Sequence, residues 1–420
     1  MSVWKQKDQE NLWHPYTQHQ HLPDLPVIVK AKGVYFYDED GKSYLDGISS
    51  WWTCCFGHGH PELITALHQQ MQELDHVLFG GFSHTPAIQL SEKLLQLLPD
   101  NQAKLFFSDN GSTAVEVAIK ASLQFFINKG EKRTKILALE DAYHGDTFGA
   151  MAASGLGLFT EHFKDQLLEV VRIPLPTCDE VVKKAKDLLD TQEFAAFIFE
   201  PLVQGAAGMR MYDANFLSEI IQIAQNNRTF AIADEVMTGF GKTGKTIASN
   251  YLSVNPDIFC LSKALTGGML PMAITSFTQT IYDGFLHNES CKALLHGHTF
   301  TANPLGCAAA IAAISLMEKQ ETQDQIQWIH QQHLQFQSEM QMHPKVENVR
   351  VMGVIFALDV ISEDKEYYGN LRNKMYQFFI QNGLILRPIG NTIYLLPPYV
   401  ILPTELEFMY EKVREVLTII

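Results

Sequence analysis

A lysine and a carboxylate stand at the ends of two short apolar runs in the middle of the sequence. Lys263 follows the run at 257–261, and Asp234 ends the run at 230–234. Burial and cationic neighbours lower the pKa of a lysine, which makes its amine a nucleophile and then a proton carrier. A carboxylate at the tip of a buried strand needs a partner, and a protonated pyridine nitrogen is one. Taken alone, each residue has an ordinary alternative: a solvent-reaching lysine, and an acid in a helix cap or a structural ion pair.

Two further stretches could hold the other parts of such a heteroaromatic ligand. Gly111 and Ser112, within residues 108–113, precede a predicted helix whose free N–H groups and dipole suit a phosphate monoester. Tyr143, which opens the stretch at 143–146, could stack on a planar ring. The alternatives are a simple N-cap formed by Ser112 and an ordinary loop aromatic.

The order of these four features is more specific than any one of them. They follow successive strands of one predicted sheet, and ligands of such sheets bind outside the carboxyl ends of the strands. A phosphate site, a stacking ring, an acid and an amine therefore meet at one edge. This combination predicts a binding site for pyridoxal 5′-phosphate, with Lys263 as the lysine that bonds to its aldehyde.

The elements that position these residues are short apolar runs alternating with amphipathic stretches. Their spacing predicts an α/β fold with a mostly parallel sheet that is covered by helices on both faces. The predicted strands are 104–107, 135–139, 195–200, 230–234 and 257–261, and the helices between them include 112–126 and 213–225.

The two ends of the chain predict a second, smaller α+β domain. Its expected elements are a long exposed helix at 318–341, strands within 349–360 and 384–396, helices at 364–382 and 404–420, and N-terminal strands at 33–37 and 43–46. We expect an N-terminal segment at 1–58 that packs with the small domain, a large cofactor-binding domain at 59–315, and the C-terminal small domain at 316–420.

The overall charge argues against nucleic-acid and membrane-surface roles. The 420 residues carry 32 Lys and Arg against 47 Asp and Glu, a net charge of -15, which repels phosphate backbones and anionic lipids. The six cysteines show neither a C-x-x-C pair nor metal-ligand spacing, which favours reduced thiols, no metal site and a cytoplasmic location. The N-terminus lacks the apolar segment of a secretory signal, and no apolar run is long enough to span a bilayer.

The segments at 231–236, 238–244 and 262–264 resemble the signature of the class III aminotransferases, in the fold-type I group of pyridoxal phosphate enzymes. The resemblance implies an α/β transferase whose large domain has a mostly parallel, seven-stranded sheet flanked by helices. It also implies that Lys263 forms the Schiff base and that Asp234 pairs with the pyridine nitrogen. The other implied cofactor-binding residues are Gly111, Ser112, Tyr143, His144 and Thr299, of which Thr299 reaches the phosphate in the neighbouring subunit of a homodimer.

Segments at 14–17, 51–52, 79–84, 143–149, 386–388 and 394–399 narrow the resemblance to one branch of this family. Its members aminate 8-amino-7-oxononanoate with S-adenosylmethionine in biotin biosynthesis. The resemblance implies that Arg387 binds the substrate carboxylate with two parallel hydrogen bonds, and that Tyr16, oriented by Asp146, has a catalytic role. The other implied substrate-binding residues are Trp51, Trp52, Tyr143, Gly297, His298 and Tyr394, whose aromatic members also suit a sulfonium cation. For the tryptophan pair alone, core packing is the alternative.

Three positions depart from the pattern of the best-known members of this branch. Lys242 stands where they have arginine, His298 where they have proline, and Ala302 where they have glycine. Lysine keeps the positive charge and loses the planar fork of arginine, so this change bears on recognition of the amino donor more than on cofactor binding.

The resemblance implies two half-reactions with ping-pong kinetics, in which the donor loses its amino group and the ketone then becomes 7,8-diaminononanoate. The alternatives are lysine or another ω-amine as donor, an aminomutase that needs no external donor, and a non-catalytic regulator that binds the cofactor. The regulator would need a DNA-binding segment and a basic patch, and the net charge argues against the patch.

Overall fold

The computed structural model of the protein describes residues 2–21, 25–155 and 157–420, and its centre is a seven-stranded sheet. Six strands run in one direction, and Ala273–Thr278 runs antiparallel to both of its neighbours. The predicted α/β class with a mostly parallel sheet is confirmed. In spatial order the strands are Gln102–Ser108, Ala273–Thr278, Ile258–Leu261, Phe230–Asp234, Phe194–Phe199, Lys135–Leu139 and Val170–Ile173.

The central sheet is buried on both faces because its strands carry apolar residues at successive positions. In Phe230–Asp234, Ala231 and Ala233 join one hydrophobic cluster while Phe230 and Ile232 join the other. This follows from the period of two along a strand, which sends neighbouring side chains to opposite faces. The helix Gly111–Asn128 covers the second face and Ala214–Asn226 covers the first.

The two ends of the chain meet in a separate four-stranded sheet. Its order is Ile28–Lys32, Tyr35–Asp38, Ser43–Asp46 and Leu384–Ile385, and the last two strands pair in parallel. A three-stranded antiparallel sheet, Val346–Met352, Ile355–Val360 and Thr392–Leu395, lies in the C-terminal part with the helices Gln320–Met340, Asn370–Gln381 and Pro403–Ile419. The division at residues 58 and 315 stays a prediction.

Some elements differ from the sequence-based expectation. The helix Gln320–Met340 was expected to be exposed, yet it buries Ile326, Ile329, His333, Phe336 and Met340. These residues recur every three or four positions, so they form one apolar stripe that the many glutamines conceal in the sequence. The helix expected at 364–382 begins only at Asn370, because Gly369 is extended and the Asp364 carboxylate accepts a hydrogen bond from the Leu371 N–H.

The sequence did not reveal the strands Ile28–Lys32, Val170–Ile173 and Ala273–Thr278, nor the helices Pro61–Glu73 and Thr85–Leu97 that pack against Pro304–Met317. All six cysteines are free. Among the described residues, no helix has the length and apolar character that crossing a bilayer requires. The remaining elements are Val3–Asn11, His19–His21, Ser49–Trp52, Phe148–Ala153, Gly157–Thr160, Glu161–Gln166, Asp179–Leu189, Val203–Gln204, Arg210–Met211, Ala248–Tyr251, Lys263–Thr266, Gln279–Asp283 and Ser290–Lys292.

Candidate active site

A cavity of about 610 Å³ opens at the carboxyl ends of the central sheet. Residues that follow several different strands form its wall, which is where an open α/β sheet binds its ligand. The predicted site residues that the structure brings together in this wall are Trp52, Gly111, Ser112, Tyr143, His144, Asp146, Asp234 and Lys263.

Lys263 begins the short turn Lys263–Thr266, directly after the strand Ile258–Leu261. Its φ of 49° lies in the left-handed region, which is costly for a residue with a side chain and is typical of functional positions. The amine lies 4.5 Å from the centre of the Trp52 ring. Burial lowers the pKa of Lys263 to about 8, opposed by the charge of Asp234 and aided by that of Lys242. The amine is therefore a ready nucleophile near neutral pH.

Asp234 is buried at the end of its strand and is held by two partners. Its Oδ2 lies 2.7 Å from Nδ1 of His144, and its Oδ1 accepts a hydrogen bond of 3.1 Å from the Val236 N–H. The main chain of His144 is itself fixed, because its backbone N–H donates to the Ser154 hydroxyl at 2.9 Å. This arrangement can hold a carboxylate rigidly against a cationic ring nitrogen.

The helix Gly111–Asn128 points its N-terminus at the cavity. Asn110 caps this helix in a reciprocal pair with Thr113, so the expected alternative of an N-cap at Ser112 is wrong. The Ser112 hydroxyl instead lies 2.7 Å from that of Thr147 and accepts the Thr147 N–H at 3.0 Å. A Cβ at Gly145 would lie 2.3 Å from Ser112 Oγ, so this close approach requires glycine. Free N–H groups and hydroxyls gathered here suit a phosphate.

Tyr143, Tyr16 and Asp146 form one hydrogen-bonded network at the edge of the cavity. The Tyr143 hydroxyl donates to Asp146 Oδ2 at 3.0 Å and lies 3.0 Å from the Tyr16 hydroxyl, which also donates to Asp146. Burial, followed by the bond to Asp146, raises the pKa of Tyr16 to about 12. Both phenols therefore stay protonated at neutral pH, and they are held in fixed positions by one carboxylate.

The tryptophan pair lies in a left-handed turn that the sequence did not reveal. Ser49, Ser50, Trp51 and Trp52 have φ values of 48°, 47°, 63° and 75°. Each left-handed residue costs roughly 1–2 kcal/mol, so the surrounding contacts must hold this turn. Two of them are hydrogen bonds of 2.8 Å, from the Ser49 hydroxyl to the Leu396 carbonyl and from the Ser50 hydroxyl to Asp46. Strain of this kind is characteristic of functional sites.

The turn directs its two indole rings toward different partners. Trp51 is 39% exposed, and its ring lies 4.6 Å from the Arg387 guanidinium and 5.5 Å from the Tyr16 ring. Trp52 is buried beneath Lys263. Core packing therefore does not describe the exposed Trp51. Tyr394 is only 1% exposed and contacts the Trp52 ring edge-on. It therefore lies behind Trp52 and not on the surface of the cavity wall.

The structure does not bring Gly297 and Thr299 into the cavity of their own chain. Both are exposed, in the loop that precedes the helix Pro304–Met317. His298 lies closer to the site, with Nδ1 3.7 Å from a carboxylate oxygen of Asp109, which lines the cavity.

The other two departures from the family pattern lie outside the cavity wall. Lys242 is fully buried, and its amine donates a hydrogen bond of 3.0 Å to the Gly239 carbonyl. Ala302 is buried with a φ of 54°, a conformation that favours the glycine it replaces. Its carbonyl oxygen lies 2.8 Å from His84 Nε2.

Two residues beside the site, Glu200 and Phe159, were not predicted as site residues from the sequence. Glu200 lines the cavity, accepts the N–H groups of Tyr143 and Gly205 at 2.9 Å each, and has its pKa raised to about 7 by burial. Its position after an apolar run, like that of Asp234, was a usable signal. Phe159 contacts the rings of Tyr16, Tyr143 and Tyr367, and only the fold reveals these contacts.

The residues present fit a phosphorylated pyridine aldehyde. The cavity places an anion-binding helix end, a fixed buried acid, an aromatic ring and a low-pKa amine in one wall, and each matches one functional group of pyridoxal 5′-phosphate.

In the cofactor-free protein, we expect trinitrobenzenesulfonate to label Lys263 with a half-point near pH 8, against 10.5 for an ordinary lysine. The reagent attacks only the neutral amine, so labelling is slow below this pH and reaches a plateau above it. In an Asp234→Asn variant the half-point should fall further, because the Asp234 charge raises the pKa of Lys263. Mass spectrometry of the labelled peptide measures both values, and a wild-type half-point of 10 or more contradicts the expectation.

The chain is similar over nearly its whole length to known aminotransferases. The family model "Aminotransferase class-III" matches residues 16–417. A protein of Synechococcus elongatus named adenosylmethionine-8-amino-7-oxononanoate aminotransferase is 43% identical over 418 residues, covering 97% of this chain and 98% of the relative.

Two solved structures have the same fold. The crystal structure of the adenosylmethionine-8-amino-7-oxononanoate aminotransferase of Methanocaldococcus jannaschii superimposes with a TM-score of 0.94 at 33% identity, covering 99% of this chain and 98% of that one. A PLP-bound amine transaminase from an uncultivated Pseudomonas species gives a TM-score of 0.89 at 29% identity, covering 97% and 98%.

Proposed function

The chain belongs to the class III aminotransferase family, and from that premise we propose that it transfers an amino group from S-adenosylmethionine to 8-amino-7-oxononanoate in biotin biosynthesis. The observation that carries the substrate assignment is Arg387. Its guanidinium stands over the Trp51 ring, beside the cavity of Lys263, and makes no ion pair with any carboxylate in the described ranges. We call the space beside the rings of Tyr16, Trp51 and Trp52 the aromatic slot. An unpaired arginine at the end of this slot suits an aliphatic substrate that ends in a carboxylate.

Pyridoxal 5′-phosphate is held by residues of four strand ends. Gly111 and Ser112 would bind its phosphate, Tyr143 would stack on its ring, Asp234 would pair with its nitrogen, and Lys263 would bond to it. When bound, the cofactor supplies an electron-accepting ring that bonds amines and stabilises charge on the adjoining carbon.

The residues of the chain then divide the work of moving protons. Lys263 Nζ takes and returns the proton of the carbon that bears the amino group, which its lowered pKa permits near neutral pH. The Asp234 carboxylate, held in place by His144, would keep the ring nitrogen of the bound cofactor protonated. Tyr16 donates its phenol hydrogen to Asp146, which fixes the phenol oxygen so that it can accept a hydrogen bond from the substrate amine.

Substrate recognition rests on Arg387 and the aromatic walls. Arg387 binds the carboxylate of 8-amino-7-oxononanoate, and Tyr16, Trp51 and Trp52 enclose the aliphatic chain. In the other half-reaction the same rings face the sulfonium of the donor, an arrangement that cation–π attraction favours by about 0.5–2 kcal/mol.

Offering S-adenosylmethionine to the cofactor-loaded enzyme without an acceptor should convert the cofactor to its amine form and bleach its absorption above 400 nm by more than half. Adding 8-amino-7-oxononanoate should restore the absorption and yield 7,8-diaminononanoate. Lysine and a simple ω-amine are the matched alternative donors, and bleaching by one of them alone would replace S-adenosylmethionine in the proposal. An isomer of 8-amino-7-oxononanoate that forms with no donor present would instead indicate an aminomutase.

We also infer that the enzyme is a homodimer with Thr299 completing the partner's site. Thr299 is exposed in its own chain and yet lies in the segment that resembles the family's phosphate-binding loop. Mixing inactive Lys263→Ala and Thr299→Asp chains should restore up to a quarter of wild-type activity, because half of a random mixture is heterodimer with one intact site. A mixture that remains inactive, although native mass spectrometry shows heterodimers, contradicts the shared site.

A cytoplasmic location accords with this assignment. All six cysteines are free, and Cys54 and Cys291 are accessible to solvent. Exposed free thiols are typical of proteins kept in a reducing compartment.

A further inference from the structure

A second arginine, Arg372, lies next to the segment that carries Arg387. Arg372 belongs to the helix Asn370–Gln381, and its Nε–H donates a hydrogen bond of 3.4 Å to the carbonyl of Pro388, the residue that follows Arg387. Its guanidinium lies 5.0 Å from the ring of Tyr376 and 5.6 Å from that of Tyr368. The two arginines are therefore linked through one peptide unit.

Arg372 and Arg387 differ from most arginines of the chain in having no acidic partner among the described residues. Within the described ranges, the hydrogen-bond partners of Arg372 are the Pro388 carbonyl and the Asn373 side-chain oxygen, and no carboxylate pairs with it. Arginines elsewhere are ion-paired, in the pairs Arg210–Asp141, Arg228–Glu131, Arg350–Asp359 and Arg414–Glu339. Arg172 also lacks an acid, but it donates to three backbone carbonyls.

The two unpaired cations influence each other. Burial lowers the pKa of Arg372, and the charge of Arg387 lowers it further. Burial raises the pKa of the Tyr367 phenol, and the charges of Arg387 and Arg372 both oppose this rise. Two half-buried cations without an anion repel each other, and a carboxylate bound between them relieves that repulsion.

We propose that Arg372 is a positioning residue of the substrate-carboxylate subsite, which holds the backbone of Arg387 through Pro388 and adds a second positive charge to the subsite. The inference rests on the proposed function, in which Arg387 receives the carboxylate. Arg372 acts by holding the backbone of Arg387 in place and by the electrostatic attraction of its own positive charge. It therefore governs the affinity for the carboxylate and leaves the chemistry at Lys263 unaffected.

The test measures binding of octanoate and of octanamide, its uncharged counterpart, to the cofactor-loaded enzyme by isothermal titration calorimetry. Arg372→Met should raise the Kd of octanoate about tenfold, equivalent to one missing charge contact, and should change the Kd of octanamide less than twofold. Arg372→Lys keeps the charge and loses the Nε–H bond. Its Kd for octanoate should therefore lie between that of the wild type and that of Arg372→Met. Lys374→Met, an exposed charge on the same helix, is the matched control and should bind octanoate like the wild type.

An octanoate Kd within twofold of wild type in Arg372→Met overturns the proposal. An equal loss for octanoate and octanamide also overturns it, because the arginine would then only shape the slot. A melting temperature near that of the wild type shows that the variant is folded. If the wild type binds octanoate through Arg372 but does not aminate 8-amino-7-oxononanoate, the subsite stands and only the substrate assignment fails.

Discussion

Replacing Lys263 with alanine should lower kcat by at least about 10⁴-fold, the range expected when one group serves as both nucleophile and proton carrier. Among the residues that the structure describes, Lys263 is the only lysine in the cavity wall, and its pKa of about 8 leaves a substantial neutral fraction at physiological pH. A single-turnover measurement of cofactor absorbance in Lys263→Ala should show that the donor still binds but that its proton is not transferred.

Small amines distinguish a lost proton carrier from a damaged fold. Adding methylamine at tens of millimolar to Lys263→Ala should restore part of the rate, because a free base can enter the space left by the side chain. The exposed Lys374→Ala is the matched control and should keep the wild-type kcat. A Lys263→Ala enzyme that turns over at the normal rate refutes the role of this lysine.

Strand-end chemistry is the part of the site that the sequence could predict. Asp234 and Lys263 follow apolar runs that form adjacent parallel strands, so their meeting at one sheet edge depends only on local patterns and on the general rule for such sheets. The same rule applied to the run before Glu200 would also have found that acid.

Features that depend on long-range contacts could not be predicted. In the local sequence, Trp51 and Trp52 resemble ordinary core aromatics. The left-handed turn that carries them is held by hydrogen bonds to Leu396 and Asp46, which local sequence patterns do not predict. The strand Ala273–Thr278 could not be predicted because its residues alternate only weakly in polarity. The strands that pair with it also come from distant parts of the chain. The role inferred for Arg372 depends on its hydrogen bond to the Pro388 carbonyl, which only the folded structure reveals.

The second large effect is expected at Asp234, where replacement by asparagine should lower kcat by about 10²–10³-fold with little change in KM. Asparagine keeps the shape of the side chain and loses the charge that holds a pyridine nitrogen protonated. The carboxylate subsite around Arg387 is untouched, so binding of the substrate chain should persist. The visible absorption of the bound cofactor should shift in the variant, which gives a measurement independent of activity.

Asp257→Asn provides the matched comparison, because Asp257 is a partly buried acid that lies at the opposite ends of the strands. Its carboxylate accepts a hydrogen bond of 2.8 Å from the Ala231 N–H, far from the cavity wall. This variant should lose stability and keep its kcat per folded molecule, with the cofactor absorption unchanged. If Asp234→Asn instead stays within threefold of the wild-type kcat, or if both variants shift the absorption equally, Asp234 does not support the ring. The fixed pair with His144 would then be a structural contact only, because its charge would act on nothing in the cavity.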